Sequence, residues 1–249
     1  MRILRAAMVV AVLFAFTSCV AAPERKKEDA SIHYRMGEVF FAERNYSSAL
    51  AELTRAVEIY PDDPASRHLL GMTYFAKGML PEAGTHLKKA VELKPDYAEA
   101  HVNLGVVYLE LRDWDTAILH FNAALANIFY RTPDIAHYNL GAAYYGKGDF
   151  ARAAESFKKT VEIDPQYAAA YNNLGQSYDR INRLDEAVEA YRKAVSIEPL
   201  YTNAYYNLGT VLIRKKDRKE ALKAFTRVIE LAPESDKAKS AREYVDLLK

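Results

Sequence analysis

Six glycines stand at a near-constant interval, and nothing else in this 249-residue chain restricts its fold as much. Each follows a large apolar residue: Met36-Gly37, Leu70-Gly71, Leu104-Gly105, Leu140-Gly141, Leu174-Gly175 and Leu208-Gly209. The intervals between them are 34, 34, 36, 34 and 34 residues. Three residues past each glycine come Phe40, Tyr74, Tyr108, Tyr144, Tyr178 and Leu212. Twelve past it stand Ala49, Ala83, Ala117, Ala153, Ala187 and Ala221, and sixteen past it Leu53, Leu87, Phe121, Phe157, Tyr191 and Phe225. Proline closes five of the six units, at Pro61, Pro95, Pro165, Pro199 and Pro233. A unit this short cannot bury an apolar face alone, so such units stack neighbour on neighbour. The composition favours helix, with only 10 Gly and 9 Pro among abundant Ala, Leu, Glu and Lys. Half the residues are hydrophobic, which excludes disorder over most of the length.

The period and its positions resemble the tetratricopeptide repeat over residues 30–235. That resemblance implies an all-α fold, an α-solenoid of six antiparallel helical hairpins at 30–63, 64–97, 98–133, 134–167, 168–201 and 202–235. Small Gly and Ala let the two backbones approach, and the large residues beside them fill the remaining space. Proline lacks an amide donor and stops the second helix. The last hairpin would present an open face. Ala238, Ala241, Tyr244, Val245 and Leu248 recur at helical spacing, which predicts a capping helix over 236–249.

The N-terminus has its own logic. Arg2 and Arg5 precede the eleven-residue apolar run Ala6 to Phe16, too short to span a bilayer. This fits a signal peptide over residues 1–18. Phe16-Thr17-Ser18-Cys19 resembles the lipobox of bacterial lipoproteins, in which Cys19 would become the lipid-modified first residue. Ordinary cleavage after Val20-Ala21-Ala22 is the alternative. Residues 19–29 read as a polar, charged tether. Val20 is not the Asp that retains many lipoproteins at the inner membrane, so the resemblance implies an exported protein lipid-anchored to the periplasmic side of the outer membrane.

The period breaks once. Repeat three carries two extra residues and has Phe129 in place of its closing proline, so its second helix is expected to end near Asn127 with an irregular link to Pro133. The run Ala124 to Gly141, ALANIFYRTPDIAHYNLG, resembles the type IV pilus biogenesis and stability lipoproteins of the PilF/PilW type. The likeness rests on Ala124, Leu125, Ala126, Asn127, Tyr130, Thr132, Pro133, Ala136, Asn139 and Gly141; Ile128, Arg131 and Asp134 depart from it. It implies a pilotin-like scaffold that binds a secretin or pilus component. An envelope adaptor for cell-wall enzymes is the alternative, since it shares every feature except this run.

In the tetratricopeptide fold one side of each first helix lines a binding groove. The matching positions are Tyr34, Glu38 and Phe41; His68, Met72 and Phe75; Val102, Val106 and Leu109; Tyr138, Ala142 and Tyr145; Asn172, Gln176, Asp179 and Arg180; and Tyr206, Thr210 and Ile213. Four repeats thus present an apolar and aromatic surface and the fifth a polar one, a pattern suited to a protein or peptide partner. Asn103, Asn139, Asn173 and Asn207 precede each Leu-Gly pair and are read either as donors to a bound backbone or as structural residues.

Several classes are disfavoured. Removing residues 1–18 takes away Arg2 and Arg5 and leaves 32 basic and 33 acidic side chains, a balance unlike that of a nucleic-acid binder. Cys19 is the only cysteine, so one chain forms no disulfide. No HExxH, GxSxG or Walker pattern occurs, and Gly146-Lys147-Gly148-Asp149 reads as the turn between the two helices of repeat four. His33, His101 and His137 share one repeat position and read as packing residues, and Trp114 as core. No enzyme activity, cofactor or metal is expected.

Overall fold

The computed structural model describes residues 24–248. The expected leader, Cys19 and the first part of the expected tether lie outside the described residues. Among those described, every regular element is a helix, and consecutive helices pack in antiparallel pairs. The chain divides into two compact units between Val107 and Tyr108. The first holds α1 (24–42), α2 (Tyr46–Ile59), α3 (Pro64–Ala76), α4 (Leu80–Leu93) and the start of α5 (Ala98–Glu110). The second holds the end of α5, α6 (Trp114–Leu125), α7 (Pro133–Lys147), α8 (Phe150–Ile163), α9 (Ala168–Arg180), α10 (Leu184–Ile197), α11 (Thr202–Arg214), α12 (Arg218–Leu231) and α13 (Asp236–Leu248). Residues 24–29, within the expected tether, are exposed and helical and continue directly into α1.

Local chemistry sets the helix boundaries. Asn45, Asp113, Asp149 and Asp217 each cap a second helix by accepting from the backbone N–H three residues on. Pro64 and Pro133 open α3 and α7, where a missing N–H costs nothing. The repeated small residues do what their spacing predicts. A Cβ built on Gly175 would lie 2.7 Å from Cε1 of Tyr191, and one on Gly71 2.7 Å from Cγ of Leu87, so any larger residue would push the paired helices apart.

Each unit has its own core. Ala49, Leu53, Val57 and Leu70 form a cluster in the first. In the second, Ala153, Phe157, Val161, Ala170 and Leu174 form one cluster, and Tyr191, Leu208, Val211, Phe225 and Val228 belong to a larger one. The larger cluster continues into α13 through Ala238, Ala241 and Val245. Tyr244 stacks on Phe225 with ring centroids 4.6 Å apart.

The irregular link falls close to where the sequence places it. Helix α6 ends at Leu125, two residues before Asn127. The Asn127 side-chain oxygen then accepts from the backbone N–H of Phe129 at 2.9 Å, closing a turn. That turn holds Ile128 and Phe129 out at 87% and 84% exposure. The Gly146–Asp149 segment is only partly a turn. Gly146 and Lys147 belong to α7, and the reversal is made by Gly148 at φ 88°.

Candidate functional site

In the first unit the side chains of α1, α3 and α5 form a mixed face. Tyr34, Phe41, Met72, Phe75 and Val106 are half-buried. The Tyr34 hydroxyl donates to Glu38 at 2.9 Å. His68 is held on both ring nitrogens, with Asn103 Nδ2 at 2.7 Å from Nε2 and the Tyr97 hydroxyl at 3.2 Å from Nδ1. The Asn103 amide donates, so Nε2 is the bare acceptor and Nδ1 carries the proton toward Tyr97. Burial holds the His68 pKa down to about 4, against a weaker upward pull from Glu99. Val102, expected on this face, is instead buried at 6% exposure. Its side chain is too short to reach past its neighbours as the longer ones at the same repeat position do.

The second unit carries two adjoining cavities. The first, of about 280 Å³, is apolar: Leu109, Trp114, Ala142, Gly146 and Phe157 line it together with Tyr145, Asn173 and Gln176. Trp114, expected as core, is half-buried against Gly146 and forms a wall of this cavity. The second, of about 300 Å³, is polar and is lined by Asn172, Gln176, Asp179, Arg180, Asn207 and Thr210, with Tyr145, Tyr191, Asn203 and Lys237. Tyr145 and Gln176 belong to both. Within the second unit an apolar compartment thus adjoins a polar one. Tyr206 and Ile213 are half-buried beside the larger core cluster, Tyr206 meeting Phe225 edge-on with centroids 5.8 Å apart.

Electrostatics sharpen the polar compartment. Asp179 is paired with Arg214. The Arg180 guanidinium lies 4.0 Å over the Phe150 ring. Lys237, contributed by α13, is in no ion pair among the described residues. Burial raises the Tyr191 hydroxyl far above its ordinary value, with smaller upward contributions from Asp179 and Tyr145.

Three of the four recurrent asparagines act between repeats. Asn103 bonds His68, Asn173 Nδ2 donates to the Tyr138 hydroxyl at 3.0 Å, and Asn207 Nδ2 donates to Asn172 Oδ1 at 3.0 Å. Each bond spans 35 residues and ties a first helix to the one before it. Asn139 is half-buried and makes no such bond among the described residues. Tyr138 also has a packing role, since it meets Phe157 edge-on at 5.6 Å and stacks on Tyr167 at 4.9 Å.

The polar-cavity residues that the sequence did not assign to the groove are Tyr191, Asn203 and Lys237. Tyr191 carried a usable signal: it is the one hydroxyl among Leu53, Leu87, Phe121, Phe157, Tyr191 and Phe225. The other two lie in the first turns of α11 and of the capping helix, and which side chains face the cavity there depends on packing. Of the three histidines at one repeat position, His33 bonds Glu52 at 2.6 Å and His101 meets the Pro95 carbonyl at 3.0 Å. His137 keeps Nδ1 buried without a partner. Among the described residues no three His, Cys, Asp or Glu side chains gather as a metal site would require. No helix there is long and apolar enough to cross a membrane.

Paired helices, glycine-spaced close approaches and a residue-lined groove define a tetratricopeptide-type scaffold, a class that binds proteins or peptides. The chain belongs to the tetratricopeptide repeat family, which matches residues 15–64, 128–168, 138–201 and 172–236, with a further TPR repeat match over 71–112. Among solved structures it is similar to PilW, a widely conserved type IV pilus biogenesis factor, with TM-score 0.75 and 20% identity, covering 86% of this chain and 98% of that one. It is also similar to pilF of Pseudomonas aeruginosa, with TM-score 0.74, 16% identity and coverage of 88% and 98%. A third is YrrB, a TPR protein with an unusual peptide-binding site, with TM-score 0.67, 23% identity and coverage of 77% and 97%. At these identities the likenesses establish the fold. No match to the sequence was found among curated proteins.

Proposed function

We propose that this scaffold serves type IV pilus biogenesis, binding a secretin or pilus component through the residues of its first helices. The observation that carries the reading is the repeat-three run Ala124–Gly141, which resembles the pilus lipoproteins at the one place where the period breaks. The near-complete coverage of PilW and pilF supports it at the level of architecture. In this reading Cys19 bears the lipid and the protein works on the periplasmic side of the outer membrane. An apolar anchor of this kind holds a domain firmly only with more than one acyl chain.

The test is affinity purification of a C-terminally tagged chain from cross-linked, detergent-solubilised envelopes, followed by mass spectrometry. Recovery of an outer-membrane secretin or pilus subunits is the expected result. Recovery of cell-wall hydrolases or synthases with no secretin would overturn it in favour of the adaptor. Cys19→Ala is expected to move the protein from the membrane fraction to the soluble periplasm. Membrane association undiminished in that variant would remove the lipid anchor from the reading.

A further inference from the structure

Helix α1 breaks a rule that the first helix of every later repeat keeps. Five residues before the repeat glycine, one before it and two after it lie three positions that share one side of the helix. The first of these holds Ser66, Ala100, Ala136, Ala170 and Ala204 in repeats two to six, none more than 1% exposed. The second holds Leu70, Leu104, Leu140, Leu174 and Leu208, none more than 7% exposed. The third holds Thr73, Val107, Ala143, Ser177 and Val211, again at 1% or less. Their cover is the second helix of the repeat before. Leu70 clusters with Leu53 and Val57 of α2, Leu174 with Phe157 and Val161 of α8, and Leu208 with Val188 and Tyr191 of α10. In repeat one the same positions are Ile32, Met36 and Val39, exposed at 47%, 43% and 56%. A terminal repeat that met water would carry polar residues there, as solubility requires of the ends of a solenoid. This one keeps apolar side chains and keeps them together. The other exposed large hydrophobics, such as Leu119, Leu200 and Leu247, lie one to a helix or in loops.

The chemistry of the stripe selects its cover. Another repeat stacked in the regular way would need Ser or Ala at the first position, as all five later repeats have, and Ile32 is too large for that place. The array is therefore not extended head to tail. A membrane-surface helix carries a polar face rich in Lys and Arg, whereas this stripe and its edges mix Arg25 and Arg35 with Glu28, Asp29 and Glu43. The order of the charges is self-complementary. Arg25, Ile32, Met36, Val39 and Glu43 follow one line along α1, being spaced seven, four, three and four residues apart. Arg25 and Glu43 are exposed and in no ion pair among the described residues. A second α1 laid antiparallel, with the two-fold axis at Tyr34, sets Ile32 against Met36 of the second copy and Arg25 against its Glu43. Each contact occurs twice, as in any two-fold pair. A parallel copy would set Arg25 on Arg25 and Glu43 on Glu43.

We propose that the outward side of α1 is a self-pairing interface, on which a second copy of this chain docks its own α1 antiparallel. The inference does not depend on the pilus reading, and neither result below alters the envelope test of that reading. Two helices of this length bury less than the roughly 1,600 Å² of a standard interface, so a dissociation constant of about 1–100 μM is expected.

Residues 24–249 contain every described helix and core cluster, so that chain serves for sedimentation up to half-millimolar concentration. A monomer–dimer equilibrium is expected. Met36→Glu, in the middle of the stripe, should raise the dissociation constant at least tenfold and leave the thermal midpoint of the monomer unchanged. Arg25→Glu and Glu43→Arg should each raise it at least threefold, and the two together should restore it to within twofold of the parent. A monomer at every concentration, a dimer indifferent to Met36→Glu, or a double exchange weaker than either single one would overturn the proposal. The full-length chain is then followed in intact cells. Chains with Arg25→Cys and Glu43→Cys, differently tagged and expressed together, are treated with a short bis-maleimide, and the parent chain controls for Cys19. Links between the two variants are expected, and none between two copies of Arg25→Cys. If residues 24–249 pair in solution but no such link forms in cells, residues 1–23 or another partner hold the stripe and the proposal falls.

Discussion

Arg44, Gly78, Arg112, Gly148, Asn182 and Lys216 occupy one place, the turn between the two helices of each repeat, and all have φ between 59° and 88°. Only two are glycine, so four repeats hold a side chain in the left-handed region, where it costs about 1 kcal/mol except for Asn. Arg112 and Lys216 are exposed and make no ion pair among the described residues. Replacing either with Gly is expected to raise stability by about 0.5–1 kcal/mol, as relief of strain outweighs the added freedom of the unfolded chain. Denaturant midpoints of the two variants check this, and a loss in both would show that the turn conformation is not strained. His68 gives a second prediction at this scale. Its folded pKa of about 4 lies below the unfolded value of 6.5, so between those values the unfolded chain binds the proton that the folded one refuses. Its stabilising contribution is complete above pH 6.5 and is lost as pH falls toward 4. Burial lowers His86 and His137 in the same direction. Going from pH 7.5 to 4.5, His68→Gln should lose about 2 kcal/mol less stability than the parent. An unchanged pH slope would show that His68 is hydrated in the folded state.

The helical hairpin is the next scale, and it is here that the sequence is most and least legible. Gly175 and Tyr191 lie sixteen residues apart in the sequence, yet a Cβ on Gly175 would come within 2.7 Å of Cε1 of Tyr191, because the period encodes the close approach of two helices. Such a contact lies within one repeat, so its chemistry is written in one stretch of sequence. Val102 and Asn103 show where that ends. Helical spacing places Val102 on the groove side, but its burial is decided by neighbouring helices and the length of the side chain. Asn103 reads as a free donor until the repeat before it supplies His68, 35 residues away. Sequence shows Trp114 as a packing residue and not as a cavity wall, since a cavity is what adjacent repeats leave unfilled. The capping helix illustrates the energetics of the hairpin face. Ala238, Ala241 and Val245 of α13 are buried on the last repeat, and Tyr244 covers Phe225. Truncation after Ser235 would expose that face to water. At about 25 cal/mol per Å² for apolar area the loss is several kcal/mol, so the truncated chain is expected to unfold at a midpoint at least 10 °C lower and to bind a hydrophobic dye in the cold. A midpoint within 2 °C of the parent would mean that α13 rests on the repeat without stabilising it.

Across the whole molecule, contacts run between neighbours in sequence, so stability is distributed and not pooled in one core. Two of the core clusters, one from each unit, differ in size. The cluster of α2 and α3 contains four buried residues, Ala49, Leu53, Val57 and Leu70, with Tyr34, Phe40 and Phe41 packed at its edge. The cluster of α10 to α13 contains thirteen, including Tyr191, Phe225 and three residues of the capping helix. Helix α1 leaves Ile32, Met36 and Val39 exposed at 47%, 43% and 56%, so its outward side contributes little apolar burial. Local opening follows buried contact density, since each opened segment loses only the contacts it makes. Amide exchange measured by mass spectrometry at neutral pH should therefore be fastest in α1 and α2 and slowest in α11 and α12, by at least two orders of magnitude. Uniform protection along the chain would show that the repeats open together and that the additive picture fails. If protection instead fell toward α13, the stacked pair Tyr244–Phe225 would not hold the last repeat closed.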